Sequence, residues 1–141
     1  MDSMNRETNE KEKEMARVGN RIRPGRFTLG SWSTLKAEDA QNELSQRVIA
    51  TQRLVVTRCH YRPHAHFPQH SHLQEQITIV ERGRLEFVID DRTIPVNQGE
   101  MISVCPRVPH ETHVPAGEEV VALNIFLNLS APCHAPFPGQ S

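Results

Sequence analysis

Excess charge of one sign and long apolar runs are both missing from this sequence, and each absence excludes a class of partner. Its 141 residues hold 16 Lys and Arg against 17 Asp and Glu, for a net charge of −1, so no basic surplus would attract nucleic acid or an anionic membrane. No apolar run reaches the roughly 18 residues of a spanning helix, and the N-terminus lacks the apolar core of a signal peptide. We therefore expect a cytoplasmic protein without nucleic-acid or membrane partners.

Cysteine is also scarce, whereas histidine is in excess. The chain has three cysteines, Cys59, Cys105 and Cys133. An odd number without paired spacing predicts neither a disulfide framework nor an all-cysteine zinc site. Of the eight histidines, seven lie between His60 and His113. Any special chemistry is therefore expected from histidine.

Composition divides the chain into four segments around one domain, as the length suggests. Residues 1–20 carry many charges and few apolar side chains, which predicts a flexible tail that is disordered or helical. Residues 21–43, which include Trp32, are interpreted as an N-terminal arm. Residues 44–128 form the predicted domain, and residues 129–141 an irregular, proline-rich C-terminal tail.

From residue 44 onward the sequence consists of short β-branched runs separated by turn signals. In one run, Leu85, Phe87 and Ile89 share a face, the alternation of a half-buried antiparallel strand. Many short, evenly spaced strands predict an all-β sandwich or barrel. The predicted strands cover residues 44–50, 54–61, 76–81, 84–90, 92–96, 101–105 and 119–127.

The histidine spacing predicts a metal site. His70 and His72 are two residues apart, so both point to the same face of an extended chain. Gln76 follows four residues later, and His110 comes just after a proline-rich corner. A catalytic metal needs three or four N or O donors that converge from different strands. We expect His70, His72, Gln76 and His110 to hold one divalent transition metal, which could be Zn, Ni, Mn or Fe.

These residues also resemble the two sequence motifs of single-domain cupins of the RmlC-like superfamily. The first motif is matched by His70-Ser71-His72, Gln76 and Gly83, and the second by Gly99-Glu100, Cys105-Pro106-Arg107 and Val108-Pro109-His110. The resemblance covers about residues 44–127. It implies a small antiparallel double-stranded β-helix, the jelly-roll or cupin barrel. It also implies a homodimer, with residues 44–50 or the region near Trp32 contributing to the interface.

The chain departs from these motifs at four positions. His64 and Arg107 stand where the motifs carry glycine, Cys105 replaces a proline, and Gln76 replaces the usual glutamate ligand. Glu75 is a competing ligand, but the spacing to the turn glycine and the H-x-H-x2-E-Q form of similar cupins favour Gln76.

The sequence predicts the positions of the remaining histidines less precisely. The pair His64 and His66 repeats the H-x-H spacing but places Ile77 where the turn glycine should be, so it is interpreted as secondary. His113 lies on the opposite strand face from His110. We expect His64, His66 and His113 at the rim, behind the metal ligands or at the surface.

The ligand set favours chemistry without redox change. Three imidazoles and an amide are neutral, so a divalent ion keeps its full charge and acts as a stronger Lewis acid. This favours an isomerase, cyclase or lyase acting on a small carbonyl or enol substrate. The sequence also resembles cupins that open unsaturated uronate rings and aromatic polyketide cyclases, which implies a sugar-acid-like or polyketide-like substrate. A metal-dependent dioxygenase or oxidative decarboxylase, and a non-catalytic cupin that binds small molecules, are the alternatives.

The substrate pocket and the catalytic groups are less defined. Strand parity predicts a pocket lined by Thr78, Phe87, Asn124 and Phe126. Asn124 and Phe126 occupy the place of an Asp-x-Phe pair in the uronate cupins, and asparagine cannot replace that aspartate as a general base. The catalytic residue stays open. Glu75 and Glu86 are candidates if either faces inward.

Overall fold

A computed structural model describes residues 27–115, 117 and 119–127. The predicted tails 1–20 and 129–141 lie outside these residues, and the division into four segments stays a prediction, as does the homodimer. Within the described residues, no helix is long and apolar enough to cross a bilayer.

The described residues form ten strands and one short 3-10 helix, Trp32–Thr34. Ser31 caps this helix by accepting a hydrogen bond from the backbone N–H of Ser33. The strands are β1 Glu38–Ala40, β2 Leu44–Ala50, β3 Leu54–Tyr61, β4 His66–His70, β5 Glu75–Arg82, β6 Arg84–Ile89, β7 Arg92–Asn97, β8 Met101–Val104, β9 His110–His113 and β10 Val120–Leu127.

The strands pair into two antiparallel sheets that face each other. The larger sheet has the order β1-β2-β3-β10-β5-β8 and the smaller one β4-β9-β6-β7. Between them lie buried side chains from both sheets, including Val80 and Ala122 from the larger sheet and Leu85 and Phe87 from the smaller one. The predicted all-β jelly-roll fold is confirmed.

All seven strands predicted from the sequence are present, with ends within one residue of the prediction. The prediction missed the three short strands β1, β4 and β9. Strand β4 reads His-Phe-Pro-Gln-His and β9 reads His-Glu-Thr-His, so neither carries the β-branched alternation on which the prediction rested. Their pairing with each other, with His70 opposite His110, makes them strands.

The two glycine positions of the cupin motifs that this chain fills with larger residues have left-handed backbone conformations. His64 has φ 63° and Arg107 has φ 65°, a region that costs a residue with a Cβ roughly 1–2 kcal/mol. The backbone N–H of Arg107 donates to the carbonyl of His72 at 2.7 Å. The two replacing residues therefore adopt a backbone conformation that glycine reaches without this strain.

The cysteines differ in one respect from what their number predicted. Cys105 is disulfide-bonded, so the odd cysteine count did not exclude a single bridge. Cys59 is a buried free thiol.

Two glycines provide a test of how tightly the turns pack. Gly83 has φ +77°, and a Cβ there would lie 2.8 Å from the carbonyl oxygen of Glu119, whereas Gly99 has φ +82° and open space around it. We expect Gly83→Ala to lower the free energy of unfolding by about 2–4 kcal/mol, because strain and overpacking add. Gly99→Ala should cost only the strain, about 1–2 kcal/mol.

Urea unfolding of the two variants and the wild type measures both losses. Equal losses would contradict the close approach of Glu119 to Gly83.

Candidate metal centre and adjoining pocket

Three of the four predicted ligands are histidines that meet where the two sheets face each other. His70 and His110 are directly opposed on β4 and β9, and His72 lies in the loop that leads to β5. The ring centroids of His70 and His110 are 4.3 Å apart, and that of His72 is 5.1 Å from His110. One nitrogen from each ring lies within 4.8 Å of the others. This spacing suits a cluster that shares one ion.

Each ring is fixed by a hydrogen bond from its Nδ1 to a nearby carbonyl oxygen. His70 Nδ1 contacts the carbonyl of Pro68 at 2.8 Å, and His110 Nδ1 that of Val108 at 2.9 Å. His72 Nδ1 contacts the carbonyl of Gln74 at 2.9 Å. A carbonyl oxygen only accepts, so each Nδ1 carries the proton and each neutral ring keeps its lone pair on Nε2. This is the tautomer that metal-binding histidines use.

Gln76 completes a donor set that fits a cation. Its Oε1 lies 2.9 Å from His72 Nε2, and both side chains are buried. In the neutral ring with its proton on Nδ1, the two facing atoms both present lone pairs, which repel each other. A shared cation removes this repulsion, as it does between two ligands of one metal ion. The donors that His70, His72, Gln76 and His110 offer therefore fit a divalent transition metal.

Neither candidate catalytic carboxylate meets the condition that it face inward. Glu75 precedes Gln76 on β5 and so projects from the opposite face. Glu86 lies on the other face of β6 from Phe87, where its carboxylate binds His113 Nε2 and Arg84, each at 2.8 Å.

A pocket of about 430 Å³ adjoins the histidine cluster. Its apolar lining comes mainly from β2, β3, β4 and β10, and its polar lining is rich in amides. None of the described lining residues is Asp, Glu, Lys or Arg. The pocket is lined by Ala40, Gln41, Leu44, Gln46, Val48, Val55, Thr57, Cys59, Tyr61, Phe67, Pro68, Gln69, His70, Gln74, Gln76, His110, Thr112, Asn124 and Phe126.

Two of the four predicted pocket residues, Asn124 and Phe126, are in this lining. The other two lie behind it. Thr78 is fully buried and hydrogen-bonded to Gln76 and Asn124. Phe87 is also buried, with its ring centroid 6.5 Å from that of His110. Strand parity placed both correctly on the inner face but did not distinguish the lining from the core.

A buried cluster of polar side chains on β3 was not predicted from the sequence. Asn124 Nδ2 donates to Tyr61 Oη at 3.0 Å and contacts Cys59 Sγ at 3.4 Å, and Thr57 Oγ1 lies 3.4 Å from the same sulfur. Alternation along β3 would have placed Thr57, Cys59 and Tyr61 on one face. Their contacts with Asn124 arise because β3 pairs with β10. Residue spacing within the sequence does not predict this pairing.

Burial keeps the two acidic groups on β3 protonated. It raises the pKa of the Tyr61 hydroxyl far above its usual range, with a further contribution from the neighbouring Cys59. Burial also raises the pKa of the Cys59 thiol, against the opposing effect of its hydrogen bonds. Neither group supplies a base at neutral pH.

The remaining histidines lie away from the cluster. His64 is exposed, and His66 binds Glu111 at 2.8 Å on the outer face of the smaller sheet. His113 is held by Glu86 on that same face. The rim or surface positions expected for these residues agree with this placement.

Comparisons with known proteins identify the family. The cupin domain family matches residues 57–126, and the chain belongs to the cupins. Among solved structures, the polyketide cyclase RemF from Streptomyces resistomycificus is 23% identical with a TM-score of 0.65, covering 81% of this chain and 88% of its own. KdgF from a Halomonas species is 15% identical with a TM-score of 0.64, covering 72% and 95%.

A Thermotoga maritima protein named "predicted oxalate decarboxylase" is 13% identical with a TM-score of 0.66, covering 72% of this chain and all of its own. At such identities the likeness establishes the fold alone. No curated protein sequence matches the chain.

Replacing one histidine on each face of β9 tests the metal centre. We expect untagged wild-type protein to contain nearly one equivalent of a transition metal and His110→Ala to lose most of it, because the variant lacks a ligand. His113→Ala, on the same strand but on the outer face, should keep its metal.

Elemental analysis of the three proteins, before and after reconstitution with zinc or nickel, makes the comparison. A wild-type protein that stays free of metal after reconstitution would refute the centre.

Tyr61 is the only tyrosine, so its titration can be followed directly. The unfolded chain loses this proton near the ordinary pKa of about 10, whereas burial raises the pKa in the folded protein. The resulting contribution to stability is complete below about pH 10 and declines as the pH rises above it. We therefore expect phenolate absorbance to appear only as the protein unfolds.

Tyr61→Phe is the matched control for stability, because its unfolding free energy should fall less steeply above that pH. Phenolate that appears near pH 10 in protein still folded by circular dichroism would contradict the burial of this hydroxyl.

Proposed function

We propose that this cupin is a metal-dependent enzyme that uses one divalent ion at His70, His72, Gln76 and His110 as a Lewis acid on a small carbonyl or enol substrate. The reaction class is isomerisation, cyclisation or elimination. The observation that carries this proposal is a donor set made only of neutral groups, beside a pocket lined by amides and apolar side chains.

The neutral donors favour chemistry without redox change. A divalent ion held by imidazoles and an amide keeps its full charge, and so polarises a carbonyl oxygen and stabilises negative charge that develops there. An anionic ligand would help to stabilise the higher oxidation state of iron. The candidate ligands include no carboxylate.

The pocket lining favours an uncharged substrate. Phe67, Phe126 and Val48 offer apolar contact area, while Gln74 and Asn124 offer amide groups that both donate and accept hydrogen bonds. No lining arginine or lysine among the described residues would pair with a carboxylate. A neutral, polyketide-like substrate therefore fits this lining better than a sugar acid, and the shared fold of the Streptomyces polyketide cyclase supports the same choice.

Proton transfer in this pocket has few candidate groups. Apart from histidine, the lining side chains that can titrate are Tyr61 and Cys59, and burial raises the pKa of both. Because they keep their protons, they fit a role in hydrogen bonding to a substrate rather than in abstracting a proton from it. Reactions that need a carboxylate base match this pocket poorly.

Oxidative decarboxylation or dioxygenation is the second candidate, favoured by the three-histidine cluster and by the shared fold of the Thermotoga protein. Turnover of a panel of neutral polyketide-like carbonyl compounds, uronates and small dicarboxylates, with and without oxygen, separates the candidates. Oxygen-independent turnover supports the Lewis-acid proposal, and turnover only with oxygen supports the second candidate. No turnover by metal-loaded protein would favour a non-catalytic binding protein.

Changing the charge of one ligand tests the Lewis-acid proposal. We expect Gln76→Glu to retain metal but to lower kcat at least tenfold, because the carboxylate neutralises part of the charge of the ion. The control is Glu75→Gln, which changes the charge by one unit in the opposite direction on the opposite face of β5 and should keep wild-type kcat.

Metal content and kcat on the best substrate of the panel are measured together. If Gln76→Glu retains metal and is as active as the wild type, the charge of the ion does not drive the reaction.

A further inference from the structure

The orientation of the Gln76 amide determines whether this residue can bind a cation. The two ends of a carboxamide are nearly alike in shape, but only the oxygen offers a lone pair to a cation. In the structure Oε1 faces His72 and the histidine cluster, while Nε2 points the other way, toward Thr78 at 2.9 Å.

His72 alone does not account for this orientation. Because its proton is on Nδ1, its Nε2 lone pair would accept a hydrogen bond from an amide N–H. Without other influences the amino end of Gln76 would therefore face His72, and the oxygen would face away. A different contact must turn the amide.

Thr78 provides this contact. Its hydroxyl lies 2.6 Å from Asn124 Oδ1, an oxygen that can only accept, so the single hydroxyl proton is donated to Asn124. The Thr78 oxygen then offers only lone pairs to Gln76, and the end of the amide facing it must be the amino group. Thr78 and Gln76 are both buried, so an unmatched pair of acceptors there would be costly.

Asn124 connects this chain of hydrogen bonds to β3. Its Nδ2 donates to Tyr61 Oη at 3.0 Å and contacts Cys59 Sγ at 3.4 Å. Turning Asn124 over would place its amino group against Thr78, send the Thr78 proton toward Gln76 and reverse the Gln76 amide. The hydrogen-bonded chain therefore keeps one direction as a unit, and a change at Asn124 reaches the metal ligand.

We propose that Thr78 and Asn124 are positioning residues that set which end of the Gln76 amide faces the metal. This inference rests on the metal site of the proposed function. It assigns to Asn124 an orienting role across two side chains, and it gives fully buried Thr78 a function besides packing.

The main test compares Thr78→Val, which keeps the shape but loses the hydroxyl, with Thr78→Ser, which keeps the hydroxyl. We expect Thr78→Val to weaken zinc binding about 10–100-fold, as the loss of partners that orient ligands commonly does, and Thr78→Ser to stay within about threefold of the wild type by the same reasoning. Competition with a chromophoric chelator gives the affinities. The visible spectrum of the cobalt-substituted protein should change in Thr78→Val and not in Thr78→Ser.

A double-mutant cycle separates this role from a purely structural one. In a Gln76→Ala background, Thr78→Val should cause no further loss of affinity, because its effect acts through Gln76. An equal loss in both backgrounds would overturn the inference.

The Asn124 variants keep the test decisive if Thr78→Val does not unfold cooperatively. Asn124→Leu should weaken zinc binding, because Thr78 is then free to donate to Gln76 Oε1. Asn124→Asp should retain binding, because a carboxylate still accepts from Thr78. Equal affinities of these two variants would overturn the inference.

Failure of the proposed function has a different signature. If wild-type protein binds no zinc, both proposals fail. If His110→Ala abolishes binding but Gln76→Ala does not weaken it, the histidine centre survives and the positioning role is refuted.

Discussion

Three hydrogen bonds from imidazole Nδ1 atoms to backbone carbonyls are the constraint on which the site depends. They are local, reaching residues only two positions away, so the rings of His70, His72 and His110 are fixed by the turns that carry them. The backbone bond from Arg107 to His72 then ties the two loops together. Convergence of the rings is thus a property of the backbone.

Much of this could be predicted from the sequence, because the features concerned are local. The H-x-H spacing, Gln76 and His110 identified the candidate ligands, and alternation gave seven strands with nearly correct ends. The short strands β4 and β9 were missed, because tertiary pairing rather than residue preference makes them extended. Larger residues stand at two motif glycines, where His64 and Arg107 adopt the left-handed conformation at some cost.

What the sequence did not provide was the partner of each inward side chain. By sequence, Asn124 stands in the place of an aspartate, and the prediction was only that its amide cannot act as a general base. Its contacts across β3 and β5 give it a different role, since an amide has a donor end and an acceptor end and can transmit direction. Glu86 is a candidate base by sequence alone, but its strand places it beside Arg84 and His113. Such assignments require strand order, which is a long-range property of the fold.

The uncharged lining of the pocket also determines how recognition responds to proton concentration. Amide and apolar side chains do not titrate in the physiological range, and burial raises the pKa of both Tyr61 and Cys59, so these two groups keep their protons at neutral pH. The contacts that this lining offers are therefore the same in a mildly acidic and a mildly alkaline compartment. Any acidity dependence of binding originates in the histidines or in the bound molecule itself.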